Sequence, residues 1–143
     1  TIVFVGDSAA EEDYCLSAIG WASTKNLPIL FVVEDNNLSI LTEKRVRRNW
    51  EMHDVAKGML VKSFNISDDP LEINEHLKSV FDFPLLLNIN TVRKFWHAGA
   101  GTDGENFDRY EKELNHFGDE GKEIDKYNKN LVLDAWQRQL EKQ

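Results

Sequence analysis

Only one cysteine, Cys15, occurs in the 143 residues, so no internal disulfide can staple the fold. A lone thiol fits a reducing compartment. It sits on a helix-like stretch, which suits a buried structural thiol better than a nucleophile. Long apolar runs are missing too: none approaches the roughly 20 residues that span a bilayer, and nothing resembles a signal peptide. No membrane role is expected. Positive charge is in deficit, and the formal net charge of -8 argues against general binding to nucleic acid or to anionic membranes. His53, His76 and His116 lack metal-ligand spacing with one another or with Cys15, which argues against a zinc site. There is no leading Met; Thr1 opens directly on a strand-like run. The expectation is a fragment or excised domain, incomplete at its N-terminus. No internal repeat or low-complexity segment interrupts the chain.

What is present is ordinary for a soluble globular protein: 41% apolar and 29% charged residues, in one domain's worth of chain. Ile2-Val3-Phe4-Val5 is continuously apolar and stops at Gly6-Asp7-Ser8, as a strand buried on both faces does. From Ala9 to Asn26, apolar Cys15, Ala18, Ile19 and Ala22 fall on one helix face. The acidic first turn (Glu11, Glu12, Asp13) suits the helix dipole. Leu27-Pro28 ends that helix, and Ile29 to Val33 reads as a second buried strand. The opening is a βαβ unit, with the right-handed crossover such units adopt.

The alternation continues. Trp50 to Gly58 predicts a helix and Met59 to Phe64 a strand. Asp69-Pro70 opens a further helix running to about Phe81, and Pro84 to Thr91 is a third buried strand. A Gly-rich loop follows (Gly99, Gly101, Gly104), then a charged helical tail over 111–143. The spacing of Leu131, Val132, Ala135, Trp136 and Leu140 in that tail is amphipathic, suited to core or interface packing. The pattern predicts an α/β fold, a three-layer sandwich around a mostly parallel sheet.

Open parallel sheets bind ligands at the carboxyl ends of their strands. Three such ends here are polar. At Gly6-Asp7-Ser8-Ala9-Ala10, a carboxylate before small residues and a helix can hold a hard cation while backbone N–H groups meet a phosphate; a plain turn is the alternative. Glu34-Asp35-Asn36-Asn37 offers hard oxygen ligands suited to Mg²⁺, against the alternative of a loop cluster. A βαβ unit between adjacent strands sets the two ends side by side. The third end, Thr91-Val92-Arg93-Lys94-Phe95-Trp96-His97, carries a histidine that is either packed or solvated, or else faces an anion. The basic cluster Lys44, Arg45, Arg47 and Arg48 reads as a solvated loop, with an anion-facing or subunit-facing loop as the alternative.

Gly-Asp followed, one βαβ unit later, by Leu-Pro-Ile-Leu-Phe-Val-Val-Glu-Asp-Asn-Asn resembles the thiamine-diphosphate-dependent enzymes. The similarity is to the alpha subunits of 2-oxo-acid dehydrogenase E1 components, in the transketolase-like superfamily. Their pattern runs Gly-Asp-Gly-Ala-Ala-Asn, a helix, then Lys-Leu-Pro-Val-Ile-Phe-Val-Glu-Asn-Asn-Gly-Tyr. Transketolases share the bracketing motif but usually lack the Leu-Pro. The resemblance spans roughly residues 1–110 and implies a thiamine-diphosphate-binding fold with Mg²⁺. Aligning Leu27-Pro28 and Glu34 puts Asp35-Asn36 under the family's Asn-Asn. By resemblance Asp7, the Asn36 side chain and the Leu38 carbonyl are the metal ligands, with Asn37 as substitute if the strand holds a bulge. Gly6, Ser8, Ala9, Arg93 and His97 then lie at the cofactor. Arg93 and His97 keep the family's Arg-to-His spacing, which makes His97 the catalytic candidate beside the phosphates. Asp103 and Phe107-Asp108-Arg109-Tyr110 resemble the family's mobile phosphate-side loop.

Three departures stand out. Ser8 replaces a family Gly, and Leu38 and Val92 replace family tyrosines. The implied reaction is oxidative decarboxylation of a 2-oxo acid with acyl transfer to a lipoyl carrier protein. The activating Glu belongs in that family to a second domain or beta subunit, so the chain alone is expected to be inactive and the enzyme oligomeric. The expected compartment is cytoplasmic, or the mitochondrial matrix in a eukaryote. The rival readings are a transketolase-like ketol transferase and a cofactor-free α/β interaction domain of the same fold.

Overall fold

The computed structural model describes residues 1–78, 83–93 and 108–142. The chain forms two compact units, Thr1–Phe107 and Asp108–Gln143. In the first, four strands form one all-parallel sheet: β1 (Ile2–Gly6), β2 (Leu30–Asp35), β5 (Lys62–Ser67) and β6 (Leu85–Asn90), in the order β1-β2-β6-β5. Between β2 and β5 lie a two-stranded hairpin, β3 (Leu38–Ser39) and β4 (Thr42–Glu43), and two helices, α2 (Lys44–Arg47) and α3 (Met52–Gly58). The other helices are α1 (Asp13–Lys25) between β1 and β2, preceded by a 3-10 turn at Ala9–Glu11, and α4 (Pro70–Lys78) between β5 and β6.

Helices cover both faces, as a parallel sheet requires. On one face Ile19 and Ala22 of α1 and Met52 and Ala56 of α3 pack with Phe31, Val33 and Leu86. Cys15 is buried there, and burial pushes its thiol pKa up, away from nucleophilic use. On the other face Ile73 of α4 packs against Leu30, Val32, Ile66, Leu85, Leu87 and Ile89.

Three expectations need correction. β1 is not buried on both faces: it is the edge strand, and Ile2 and Phe4 are 60% and 67% exposed. They point to the face where α4 reaches only part of the sheet, leaving a groove lined by Ile2, Phe4, Ile73 and Leu77. The strand placed at Met59–Phe64 lies instead at Lys62–Ser67, because Leu60 adopts a left-handed turn (φ 62°) after α3. The stretch between Asn37 and Arg48 is a hairpin and a short helix rather than open loop.

The second unit is α5 (Arg109–Leu140), capped by the Asp108 carboxylate accepting from the Glu111 amide. Non-helical Gly118 (φ 58°, ψ -132°) breaks it into two arms. Lys129 Nζ donates to the Tyr110 hydroxyl at 2.9 Å, whereas a straight helix would hold those residues about 28 Å apart. The chain therefore turns back at Gly118. A Cβ at Gly121 would come within 2.9 Å of the Phe117 Cβ, so the arms approach where glycine leaves room. Leu131, Val132 and Trp136 are exposed. Among the described residues no helix is long and apolar enough to cross a membrane.

Leu86 is fully buried between the layers. Leu86→Ala is expected to cost about 3 kcal/mol in urea unfolding. Exposed Leu71→Ala should stay within about 0.5 kcal/mol.

Candidate functional site

Parallel pairing sets the carboxyl ends of the strands level. Gly6 stands opposite Glu34, and Asp35 opposite Asn90. The ladder extends one step past each strand, with Asp7 N donating to the Glu34 carbonyl at 3.1 Å and Thr91 N to the Asp35 carbonyl at 2.8 Å. These bonds hold the three polar strand ends around one cavity of about 470 Å³, whose lining includes Gly6, Asp7, Ser8, Asn36, Leu38 and Arg93.

Six of the eight residues singled out from the sequence thus meet in one place. Ala9 begins the 3-10 turn just behind Ser8 and does not line the cavity. His97 lies outside the described residues, as do Asp103 and the Gly-rich loop. Asn36 faces the cavity, whereas Asn37 turns away in a left-handed conformation (φ 64°). Asn36 Oδ1 accepts from the Leu38 amide at 3.4 Å. Arg93 Nη2 donates to the Ile40 carbonyl at 3.2 Å, tying the third strand end to the hairpin across the rim.

Two carboxylates here are buried: Asp7 (2% exposed) in the cavity lining, and Asp35 (3%) beside it at the end of β2. A carboxylate taken out of water needs a cation and hydrogen bonds around it. The hairpin answers this by bringing the basic cluster back over the strand ends. Lys44 Nζ lies 2.8 Å from both Asp35 Oδ2 and Glu51 Oε2. Arg47 Nη2 lies 2.5 Å from Asp7 Oδ2, and its Nη1 bonds to Glu11. Arg48 Nη1 donates to the Asp7 carbonyl at 3.0 Å and to Glu11 Oε1 at 2.8 Å, with its guanidinium over the Trp50 ring. Of the cluster only Arg45 is solvated, so the solvated-loop reading is corrected for the other three. Sequence reasoning missed their role. The signal was there: two carboxylates ending apolar strands need cations, and the next basic run in the chain is Lys44–Arg48.

Asp35 shows the balance. Burial raises its pKa, but hydrogen bonds from Lys44, the Asn37 amide and Asn88, together with the Lys44 charge, bring it below the usual carboxylate range. Burial pulls the Lys44 ammonium the other way, and its bonds to Asp35 and Glu51 lift it above its ordinary value.

The family model for the dehydrogenase E1 component matches residues 1–143. The chain belongs to the dehydrogenase E1 component family. This is a thiamine-diphosphate-dependent family. No curated protein sequence matches the chain. Among solved structures it is similar to the transketolase from Campylobacter jejuni subsp. jejuni NCTC 11168 (21% identity, TM-score 0.59), over 64% of this chain and 15% of that one. It is also similar to the transketolase from Leishmania mexicana (20%, TM-score 0.61), over 72% of this chain and 16% of that one. A Pichia stipitis transketolase matches at 23% identity and TM-score 0.59, over 73% and 16%. At these identities the likeness shows the fold, and the chain spans about a sixth of those enzymes' length.

In this E1-family chain the Lys44–Asp35 pair makes a pH-dependent contribution whose sign is fixed. Asp35, with its folded pKa lowered, stabilises fully above an unfolded value of about 3.9 and loses this as pH falls through the folded one. Lys44, raised, stabilises fully below about 10.4 and loses this as pH rises through its folded value. Lys44→Met should therefore cost about 2–3 kcal/mol at pH 7 in urea unfolding. That difference should shrink as pH falls through the lowered folded value of Asp35; an unchanged difference would count against the pair.

Proposed function

We propose that this chain is the thiamine-diphosphate- and Mg²⁺-binding part of an E1-type 2-oxo-acid dehydrogenase. The observation that carries the proposal is the meeting of Gly6, Asp7, Ser8, Asn36, Leu38 and Arg93 in one cavity at the carboxyl ends of β1, β2 and β6. Among the described residues no three His, Cys, Asp or Glu side chains converge on a metal position. A cation here would rest on one carboxylate with amide and carbonyl oxygens. That is a hard-oxygen set suited to Mg²⁺, which keeps phosphate oxygens or water in its remaining positions. The donor chemistry fits the group.

In this reading Asp7, the Asn36 amide oxygen and the Leu38 carbonyl hold Mg²⁺. The Gly6–Ser8 turn lets backbone and the Ser8 hydroxyl reach the diphosphate, with Ala9 behind them. Arg93 and His97 supply positive charge at the phosphate side, and His97 is the candidate for proton handling. The bound cofactor supplies the carbanion chemistry that decarboxylates a 2-oxo acid and passes the acyl group to a lipoyl carrier. The activating Glu comes from a second E1 domain or a beta subunit, so the complete site forms in an oligomer.

A second reading, a cofactor-free α/β domain of the same fold, draws on one observation: Arg47 already holds Asp7. Calorimetry on the full-length protein with its partner separates the two. Mg²⁺-dependent binding of thiamine diphosphate should be saturable in wild type and weaker by at least about a hundredfold in Asp7→Ala and Asn36→Ala. No binding in wild type would favour the cofactor-free reading. Products from 2-oxo acids rather than ketose phosphates would support the dehydrogenase over a ketol transferase.

A further inference from the structure

Arg47 stands on one of the two Asp7 carboxylate oxygens, on the carboxylate that a cation at this site would use. Its Nη2 lies 2.5 Å from Asp7 Oδ2, and its Nη1 bonds to Glu11. We propose that Arg47 is an intramolecular competitor that sets the affinity of the Asp7 site for its divalent cation. This rests on the reading of Asp7 as a metal ligand. A guanidinium and a metal ion on the same carboxylate compete for its charge and lone pairs, and their positive charges repel.

The two adjacent arginines are built for different tasks. Arg48 is 1% exposed, bonds to the Asp7 main-chain carbonyl and to Glu11, and stacks on Trp50. It anchors the end of α2 whether or not the carboxylate is taken. Arg47 is 13% exposed, and its hold on Asp7 is a single side-chain bond from Nη2. Releasing Asp7 therefore requires only the Arg47 side chain to move. Glu11, which both arginines share, is an acceptor that can retain Arg47 once Asp7 is given up. Without a cation, Arg47 keeps Asp7 from being a buried, uncompensated charge; with one, the metal takes over that role.

The test is Mn²⁺ binding to the full-length protein, followed by electron paramagnetic resonance and calorimetry in wild type, Arg47→Gln, Arg47→Lys and Asp7→Ala. Thermal unfolding with and without Mn²⁺ accompanies it. Arg47→Gln should bind Mn²⁺ roughly tenfold tighter, the factor that loss of one competing charge-assisted hydrogen bond implies. It should also melt lower than wild type without metal and gain more from saturating Mn²⁺. Equal affinity in wild type and Arg47→Gln, with binding lost in Asp7→Ala, would overturn the competition and leave the metal site standing. Absence of Mn²⁺ binding in both wild type and Arg47→Gln would sink the metal site and the competition together. If Arg47→Gln does not fold, Arg47→Lys decides: its single-point charge should compete less well, and wild-type affinity there would count against the proposal.

Discussion

An ionised carboxylate taken out of water costs several kcal/mol unless a cation and further hydrogen bonds meet it. Asp7 and Asp35 are in that position, one just past β1 and one at the end of β2. The cations come from a single segment, Lys44 to Arg48. Lys44 takes Asp35, Arg47 takes Asp7, and Arg48 lies between them, 3.9 Å from Asp35 and bonded to the Asp7 carbonyl. Bringing that segment back over the strand ends requires the chain to reverse directly after β2. The β3–β4 hairpin does this, with Asn37 and Ile40 in the left-handed region. The same reversal raises the hairpin as one wall of the cavity. Charge compensation and cavity construction are one piece of architecture.

This arrangement explains why the cavity is polar at its base and why its lining is split among three strand ends. A parallel sheet cannot place two consecutive strand ends together without a crossover, and α1 is that crossover. β6 inserts between β2 and β5, so the third polar end arrives from residues far along the chain. The site depends on the register of β1, β2 and β6, which the apolar layers on both sheet faces hold in place.

Much of this was legible in the residues. Apolar runs ending in Gly6-Asp7 and Glu34-Asp35-Asn36 located β1, β2 and their carboxyl ends, and the Leu27-Pro28 register pointed to Asn36, which faces the cavity. Other features depend on contacts that no local pattern carries. The exposure of Ile2 and Phe4 follows from the edge position of β1, a matter of strand order rather than of composition. The late start of β5 follows from the turn at Leu60, a residue type that gives no warning of a positive φ. Strands two residues long, as in β3 and β4, are too short for alternation to show. The Arg47–Asp7 pair joins positions forty residues apart, so it appears only when buried charges are asked for their partners.

Diffraction at the manganese edge, from crystals of the full-length protein grown with thiamine diphosphate and Mn²⁺, would locate the cation relative to Asp7 and Arg47. One anomalous peak is expected, bounded by Asp7, the Asn36 side chain and the Leu38 carbonyl, with the Arg47 guanidinium moved off Asp7. A metal peak elsewhere, beside an Asp7 still held by Arg47, would contradict that arrangement.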